Sequence, residues 1–353
     1  MKAYIVRRLL LLVLTIFGIL LTNFIIVQFA PGGPIERIAA KYSFSRGARA
    51  FIATEADSVH RSENSGSDKM NPAFIRALEV QFGFDKPLSH RFSKMAWDYI
   101  CFDFGRSYYR NESVLNIILE KLPVSMSLAF WSTAIMYLAA IPLGIRKAIK
   151  DGTPFDVWSS IIINVFCAIP GFILAVLLIV LFAGGSFLNV FPIRGLVSAN
   201  WYELSFWAKI TDYLWHITLP VICMAMSGLG MLTMLTKNSF IDELNKLYVI
   251  TARSKGLTEI AILRRHVFRN AMLIVISSFP AAFLAALFTG SILIEMIFSL
   301  DGIGLLGVRS VMDRDYPVVF ATVYIYALLG LVFKLVSDII LTMVDPRITF
   351  DGI

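Results

Sequence analysis

The residues best suited to engage a partner lie in one short charged stretch, YVITARSKGL at 248–257. It stands between two apolar runs and is soon followed by the basic cluster RRH at 264–266. Apolar residues recur at helical spacing on both sides of Gly256, with cations on the opposite faces, which predicts two short amphipathic helices. Gly256 suits the corner between them because glycine adopts positive φ without strain. The two predicted apolar faces comprise Leu247, Ile250, Thr251 and Ser254, then Ile260, Leu263 and Val267.

This stretch has two interpretations on its pattern alone. In the first, a helix projects from the membrane, docks into a cytoplasmic partner and transmits the partner's movement to the adjoining spans. In the second, it is a basic loop held by anionic lipid headgroups. The pattern supports both equally.

Other residues that could do chemistry are few. Gly302, Gly304 and Gly307 match G-x-G-x-x-G, but they follow an apolar span instead of a strand, so we discard dinucleotide binding in favour of a tight or re-entrant loop. No G-x-x-x-x-G-K-[ST] occurs, so the chain lacks that phosphate-binding loop. The histidines and cysteines form no metal-ligand spacing, and no nucleophile constellation points to an enzyme.

Lys334 and Asp338 lie four residues apart in an apolar run. Ionisable residues inside a span are costly and suggest function. They fit an i,i+4 ion pair that neutralises itself, or a path for protons in a secondary transporter. A proton relay usually shows further intramembrane acids, so the ion pair is favoured and the transporter is the alternative.

The composition indicates an all-α polytopic membrane protein. Of 353 residues, 57% are hydrophobic and 16% are charged, with a mean hydropathy of +0.72. The net charge of +7 fits basic residues retained beside membrane spans, not nucleic-acid binding. Six segments are apolar over about the 20 residues that a crossing needs: about 9–30, 125–145, 158–182, 217–235, 271–294 and 318–344.

Lys and Arg in the short loops predict the orientation. The basic positions near Arg7, Arg146, Arg264 and Arg347 fall on one side if both termini are cytoplasmic. The outer loop 31–122 then has a flexible part at 43–71 and a helical cap at 72–110. We expect the cap to hold one helix after Pro72 and a second that begins after Pro87 and runs through Ile100. Aromatic residues in 184–216 indicate interface anchors, with a substrate gate as the alternative.

Several stretches then resemble one known family. TARSKGL and RHVFRNA are similar to the coupling loop of binding-protein-dependent ABC importer permeases, in the oligopeptide/dipeptide branch. Further matches run in order along nearly the whole chain: RRLLLLVLT at 7–15, FAPGGP at 29–34, DFGRS at 103–107, LPVSMSLA at 122–129, IPLGI at 141–145, DYPVV at 315–319 and DPRI at 345–348. GFDKP at 83–87 and WDYICFDFG at 97–105 resemble, within that branch, the permeases of peptide importers that also admit microcin C.

The resemblance implies a type I permease fold in the bacterial inner membrane, organised as an N-terminal span (1–30), the outer loop and a five-span core (123–353) with a coupling loop at 237–270. It implies a non-catalytic half-pore within the lipid bilayer that forms a heterodimer with a second permease. Two ATPase domains would hold ATP and Mg²⁺, this chain would hold no cofactor, and a periplasmic binding protein would deliver peptide. Substrate-contacting residues stay unassigned.

The resemblance also assigns the coupling residues. Ala252 and Gly256 match the family motif, whereas Thr251 and Arg253 depart from its general form in a way that the oligopeptide branch tolerates. The full set implied to contact the ATPase is Thr251, Ala252, Arg253, Lys255, Gly256 and Leu257. Ile274 and Asp301 stand where many relatives have proline, so local geometry is expected to differ there.

Overall fold

The computed structural model of the chain describes residues 2–29, 86–184 and 187–344. These residues are mostly helical and contain no strand, apart from one isolated bridge between Arg106 and Ser113. The all-α prediction is confirmed. The flexible part and the first helix predicted for the outer cap lie outside the described residues.

The helices are named here in chain order. They are α1 (Lys2–Phe29), α2 (Leu88–Ile100), α3 (Val114–Ile149), α4 (Pro154–Ala168), α5 (Gly171–Phe182), α6 (Phe206–Leu244), α7 (Leu247–Ser254), α8 (Glu259–Ile262), α9 (Phe268–Ala285), α10 (Ser291–Ile297), α11 (Ile303–Met312) and α12 (Tyr316–Val344). Two short π-helices, Leu263–Val267 and Ala286–Gly290, join α8, α9 and α10 into one continuous helix.

Four helical segments among the described residues are long and apolar enough to cross a membrane, namely Val114–Ile149, Phe206–Leu244, Glu259–Ile297 and Tyr316–Ile340. They coincide with the second, fourth, fifth and sixth predicted spans. The apolar part of α1, Leu10–Ile26, is shorter. The total of six spans stays a prediction.

The third predicted span, 158–182, is not one continuous helix. It consists of α4 and α5, which meet at an angle of 91°. Pro170 explains the break because a proline disfavours helical geometry in the residue before it. Ile169 is accordingly extended, with φ −78° and ψ 118°. The two helices together are long and apolar enough for one span, but the sharp bend was not predicted.

The core lies along α3 and α6, which pack extensively on each other. At one end of the molecule, Phe240 and Val249 share a buried cluster with the start of α9. At the other end, α2 packs on α12 through Tyr99 and Tyr324, whose ring centroids lie 5.3 Å apart. The helix predicted after Pro87 is confirmed by α2. Below, the end that holds α7 is called the elbow end, and the opposite end the far end.

Candidate functional site

The candidate site is the turn between α7 and α8, and residues 247–262 are called the elbow. Lys255 donates its backbone N–H to the Thr251 carbonyl at 3.1 Å, and Gly256 donates to the Arg253 carbonyl at 2.9 Å. Gly256 has φ +79°, in the left-handed region that ends many helices. Thr258 then caps α8 by accepting a hydrogen bond from the Ala261 backbone. The predicted corner at Gly256 is therefore confirmed.

A bidentate ion pair between Arg253 and Glu259, called the fork, spans the turn. Arg253 donates from Nε to Oε1 of Glu259 at 2.7 Å and from Nη2 to Oε2 at 3.0 Å. This bidentate geometry fixes the angle between α7 and α8 more firmly than a single hydrogen bond does. The neighbouring carboxylate raises the pKa of Arg253 above its ordinary value. The role of Glu259 was not predicted, although it lies six residues from Arg253 across a predicted turn.

The elbow has a buried face and an exposed face. Val249, Ala252 and Ile262 are buried against α3, α6 and α9. Leu247 and Ile260, by contrast, are 80% and 67% exposed. The two predicted faces therefore do not match the buried surface: Leu247, Ile250, Thr251 and Ser254 all point away from the chain, and of the second face only Val267 is fully buried.

The exposed apolar side chains are Leu247, Ile250, Leu257 and Ile260. They are flanked by exposed Lys255, Arg264 and Arg265. Together these residues are called the elbow face. Exposed apolar residues beside cations form a surface suited to a protein groove with an acidic rim. Five of the six residues assigned to coupling are exposed on or beside this face, and Ala252 is buried beneath it. The exposed five are Thr251, Arg253, Lys255, Gly256 and Leu257.

A polar network anchors the elbow to α6 and α9. The Tyr248 hydroxyl donates to Glu243 Oε2 at 2.6 Å and accepts from Asn270 Nδ2 at 3.4 Å. Burial, reinforced by the hydrogen bond to Glu243, raises the pKa of Tyr248 to about 12, so its hydroxyl stays protonated. Lys246 pairs with the same carboxylate. The elbow is therefore fastened at both of its ends to membrane-crossing helices.

A second charged group, called the clamp, joins α3, α4 and α6 at the elbow end. Lys147 is fully buried, and its Nζ lies 2.9 Å from Asp156 Oδ1. It also donates to Ser159 Oγ at 2.9 Å and Ser160 Oγ at 2.6 Å. Lys237 contacts the other Asp156 oxygen at 2.7 Å and Asp151 at 2.8 Å. Lys147 lies beside Arg146, one of the basic positions that predicted the orientation, but its contact with Asp156 was not predicted.

The DGIGLLG loop lies at the far end and is tightly packed. Ser125 Oγ donates to Glu295 Oε1 at 2.6 Å and accepts from the Ile303 N–H at 2.8 Å. Glu295 Oε2 accepts from the Leu305 N–H at 2.8 Å. A Cβ on Gly302 would lie 2.4 Å from Glu295 Oε1, so glycine is required for this close approach. The interpretation as a tight loop is confirmed, and residues 303–312 form the helix α11.

Two motifs noted in the sequence, DFGRS and DYPVV, contact each other at the far end. Ser107 donates to Asp315 Oδ2 at 2.5 Å, and the Tyr108 N–H donates to Oδ1 at 3.0 Å, which ties DFGRS to DYPVV. Asp301 pairs with Lys121 at 2.7 Å. Ile274, the other departure from the family pattern, is exposed within α9.

Lys334 and Asp338 lie on α12. Lys334 is exposed and Asp338 is half-buried. Among the described residues Lys334 forms no ion pair, so the favoured i,i+4 pair with Asp338 is not seen, and a functional role for either residue stays a hypothesis. Among the described residues, no group of three or more His, Cys, Asp or Glu side chains is placed to hold a metal ion.

Long apolar helices joined by a basic, outward-facing elbow are the architecture expected of a membrane permease of the ABC importer class. The chain belongs to the family described as "Binding-protein-dependent transport system inner membrane component", which matches residues 140–350. It is therefore a permease subunit, a component that does not itself catalyse a reaction.

Several relatives are similar over the whole chain. "Peptidoglycan transport system permease protein YejB" of Agrobacterium fabrum is 53% identical over 99% of both chains. "Inner membrane ABC transporter permease protein YejB" of Escherichia coli O157:H7 is 53% identical over 100% of both. "Oligopeptide transport system permease protein AppB" of Bacillus subtilis is 30% identical over 99% of this chain and 100% of its own.

A solved structure shares the fold. The inward-facing MetNI methionine ABC transporter aligns with a TM-score of 0.50 and 14% identity, over 65% of this chain and 97% of the other. The expected type I permease fold is confirmed at this level.

Proposed function

We propose that this chain is the membrane-spanning subunit of an importer for peptides and peptide-bearing compounds, driven by separate ATPase subunits that bind the elbow. The elbow face is the observation that carries the proposal. Its apolar side chains are exposed, yet the segment beneath them is rigidly attached to α6 and α9. A surface that is both exposed and firmly held suits a permanent protein partner.

The proposed mechanism follows from these attachments. ATP and Mg²⁺ would bind between two ATPase domains, and their closure would move the elbow. The Glu243–Tyr248–Asn270 network and the buried elbow residues would carry this movement to α6 and α9, and the clamp would carry it on to α3 and α4. Alternating access requires that the ATPase bind one state of the permease more tightly than the other. A rigid elbow meets that requirement because its position changes with the positions of the helices to which it is attached.

The cargo is proposed from the names of relatives. A relative at 53% identity carries a peptidoglycan name, and relatives near 30% carry dipeptide and oligopeptide names. Peptides are the chemistry that these cargoes share. We extend the proposal to peptide antibiotics of the microcin C type, which the sequence resemblance suggested.

The remaining partners and the orientation belong to the same proposal. A second permease would complete the pore, and a periplasmic binding protein would deliver cargo at the far end. The cations near the elbow end support a cytoplasmic position for both termini.

The coupling role is tested by Gly256→Val in the assembled complex. A side chain at positive φ costs about 1–2 kcal/mol, and the turn has no other route to its geometry. We expect the complex to insert and assemble, while peptide import in proteoliposomes falls by about tenfold, the change that such a strain corresponds to. Gly105→Val is the matched control, since Gly105 has φ +75° and the same open surroundings at the far end. Wild-type import by Gly256→Val would exclude the coupling role.

The cargo class is tested with the same proteoliposomes and the complex's own binding protein. Import of a labelled tripeptide and of a peptide-bearing cell-wall fragment, but not of the sugar part alone, is the expected result. Import of the peptide-free sugar at an equal rate would contradict the proposed cargo.

A further inference from the structure

We propose that the groove between α1 and α12 binds an anionic phospholipid, with its phosphate on Lys334 and one acyl chain along the leucines. The groove has a volume of about 270 Å³. Its lining residues are Leu11, Leu12, Thr15, Leu331, Lys334 and Leu335. Four leucines and one cation give it an apolar wall with a single positive charge.

Lys334 is available to an external anion. It is exposed, and among the described residues it makes no hydrogen bond or ion pair. Asp338, one turn away, is half-buried and takes part in an interaction of its own. The Thr15 hydroxyl donates to the Leu11 carbonyl at 2.8 Å. Lys334 is therefore the group in this groove with donors to offer, and an uncompensated cation in a span is costly.

The depth of the groove fits a lipid headgroup. Leu11 lies nine residues after the start of α1, about 14 Å. On α1, Arg8 precedes Leu11 by three residues, about 4.5 Å of rise. The apolar run thus starts about one turn from the groove, and a lysine side chain can reach the headgroup region from that depth.

The groove's chemistry favours a lipid over other occupants. A soluble phosphate would gain nothing from four leucines. An apolar helix of a second permease would bury Lys334 without a counter-charge, which is unfavourable. A phospholipid satisfies both parts of the groove, since its phosphate meets the cation and its acyl chain covers the leucines. Basic pockets between spans on the cytoplasmic side bind anionic lipids in this way.

The test is lipid retention by the whole complex. The complex is placed in nanodiscs of phosphatidylglycerol or of phosphatidylcholine, released, and analysed by native mass spectrometry. We expect the wild type to retain phosphatidylglycerol in preference to phosphatidylcholine. Lys334→Gln should weaken phosphatidylglycerol binding by about fivefold, the effect of one cation near a charged membrane surface. Lys334→Arg, which keeps the charge, should retain it.

Two further variants test the shape of the groove and the position of the charge separately. Leu331→Trp should reduce retention by filling the groove while the charge stays. Arg309→Gln removes an exposed cation at the far end and should retain phosphatidylglycerol as the wild type does. Equal retention by Lys334→Gln and wild type would overturn the proposal. So would a photo-crosslinker at Leu335 that reaches a second permease chain and never lipid.

Discussion

Two glycine turns, one at each end of the molecule, are built in opposite ways. At the far end, Gly302 is enclosed, and an added Cβ would meet Glu295 and Ser125 within 2.5 Å. At the elbow end, Gly256 has no atom within 4 Å of an added Cβ. The far-end turn packs tightly against side chains of the same chain, whereas the elbow turn is exposed and lies among exposed apolar side chains.

The difference separates the two reasons for which a chain needs glycine. Gly302 lets backbone and side chain approach closely, so its role is packing within this chain. Gly256 supplies a positive φ, so its role is the direction in which the elbow points. Substitutions at the far end should therefore affect folding first, and those at the elbow should affect partner-dependent transport first.

The largest expected effect is at the clamp, which is the rigid base behind the elbow. Asp156→Ala leaves the fully buried Lys147 ammonium without its carboxylate, which should cost about 3–5 kcal/mol. Thermal unfolding of the complex in mild detergent measures it. Asp151→Ala is the control, because Asp151 is half-exposed and pairs with Lys237. Loss of that exposed ion pair should lower the free energy of unfolding by about 0–1 kcal/mol. Equal unfolding temperatures for the two variants would show that the clamp does not hold this end together.

The next effect is at the far-end turn. Gly302→Ala forces Glu295 or Ser125 to move, at a cost of about 1–3 kcal/mol. The same unfolding assay should show a lower midpoint and less assembled complex. Gly307→Ala, five residues along in α11 and with open space around it, should keep wild-type stability. A Gly302→Ala complex as stable as the wild type would remove the contrast between the two turns.

The smallest effect concerns the fork across the elbow. Arg253→Glu should leave stability unchanged, since both partners are exposed. It should lower peptide import by about two- to fivefold through loss of the fixed angle. The swap Arg253→Glu with Glu259→Arg should restore import if the two residues act on each other. Import that stays low in the swap would mean that Arg253 acts on the ATPase instead.

The sequence predicted the features that depend on local pattern. Long apolar runs located the crossing helices, Gly256 located the corner, and Pro87 located the start of α2. It also identified the family through short motifs, although their physical reason, such as the Ser107–Asp315 contact, appears only in three dimensions.

The features that were not predicted depend either on residues far apart in the sequence or on a pattern that two different structures share. Lys147, Asp156 and Lys237 are brought together by three helices, and no spacing reveals that. The buried face of α7 was not predicted: Val249 and Ala252 pack inward, whereas the predicted apolar face with Leu247 and Ile250 is exposed. Pro170 sits inside an apolar run that otherwise looks like a single span.

Contact between the elbow face and an ATPase subunit can be measured by crosslinking. A photo-crosslinker at Ile250, which is exposed on the elbow, is introduced into the intact complex in membranes. The same crosslinker at Met231, exposed on α6 about 20 Å from its end, is the control. We expect adducts with the ATPase from Ile250 and none from Met231. Adducts from Ile250 with lipid alone, in a complex that hydrolyses ATP, would contradict this expectation.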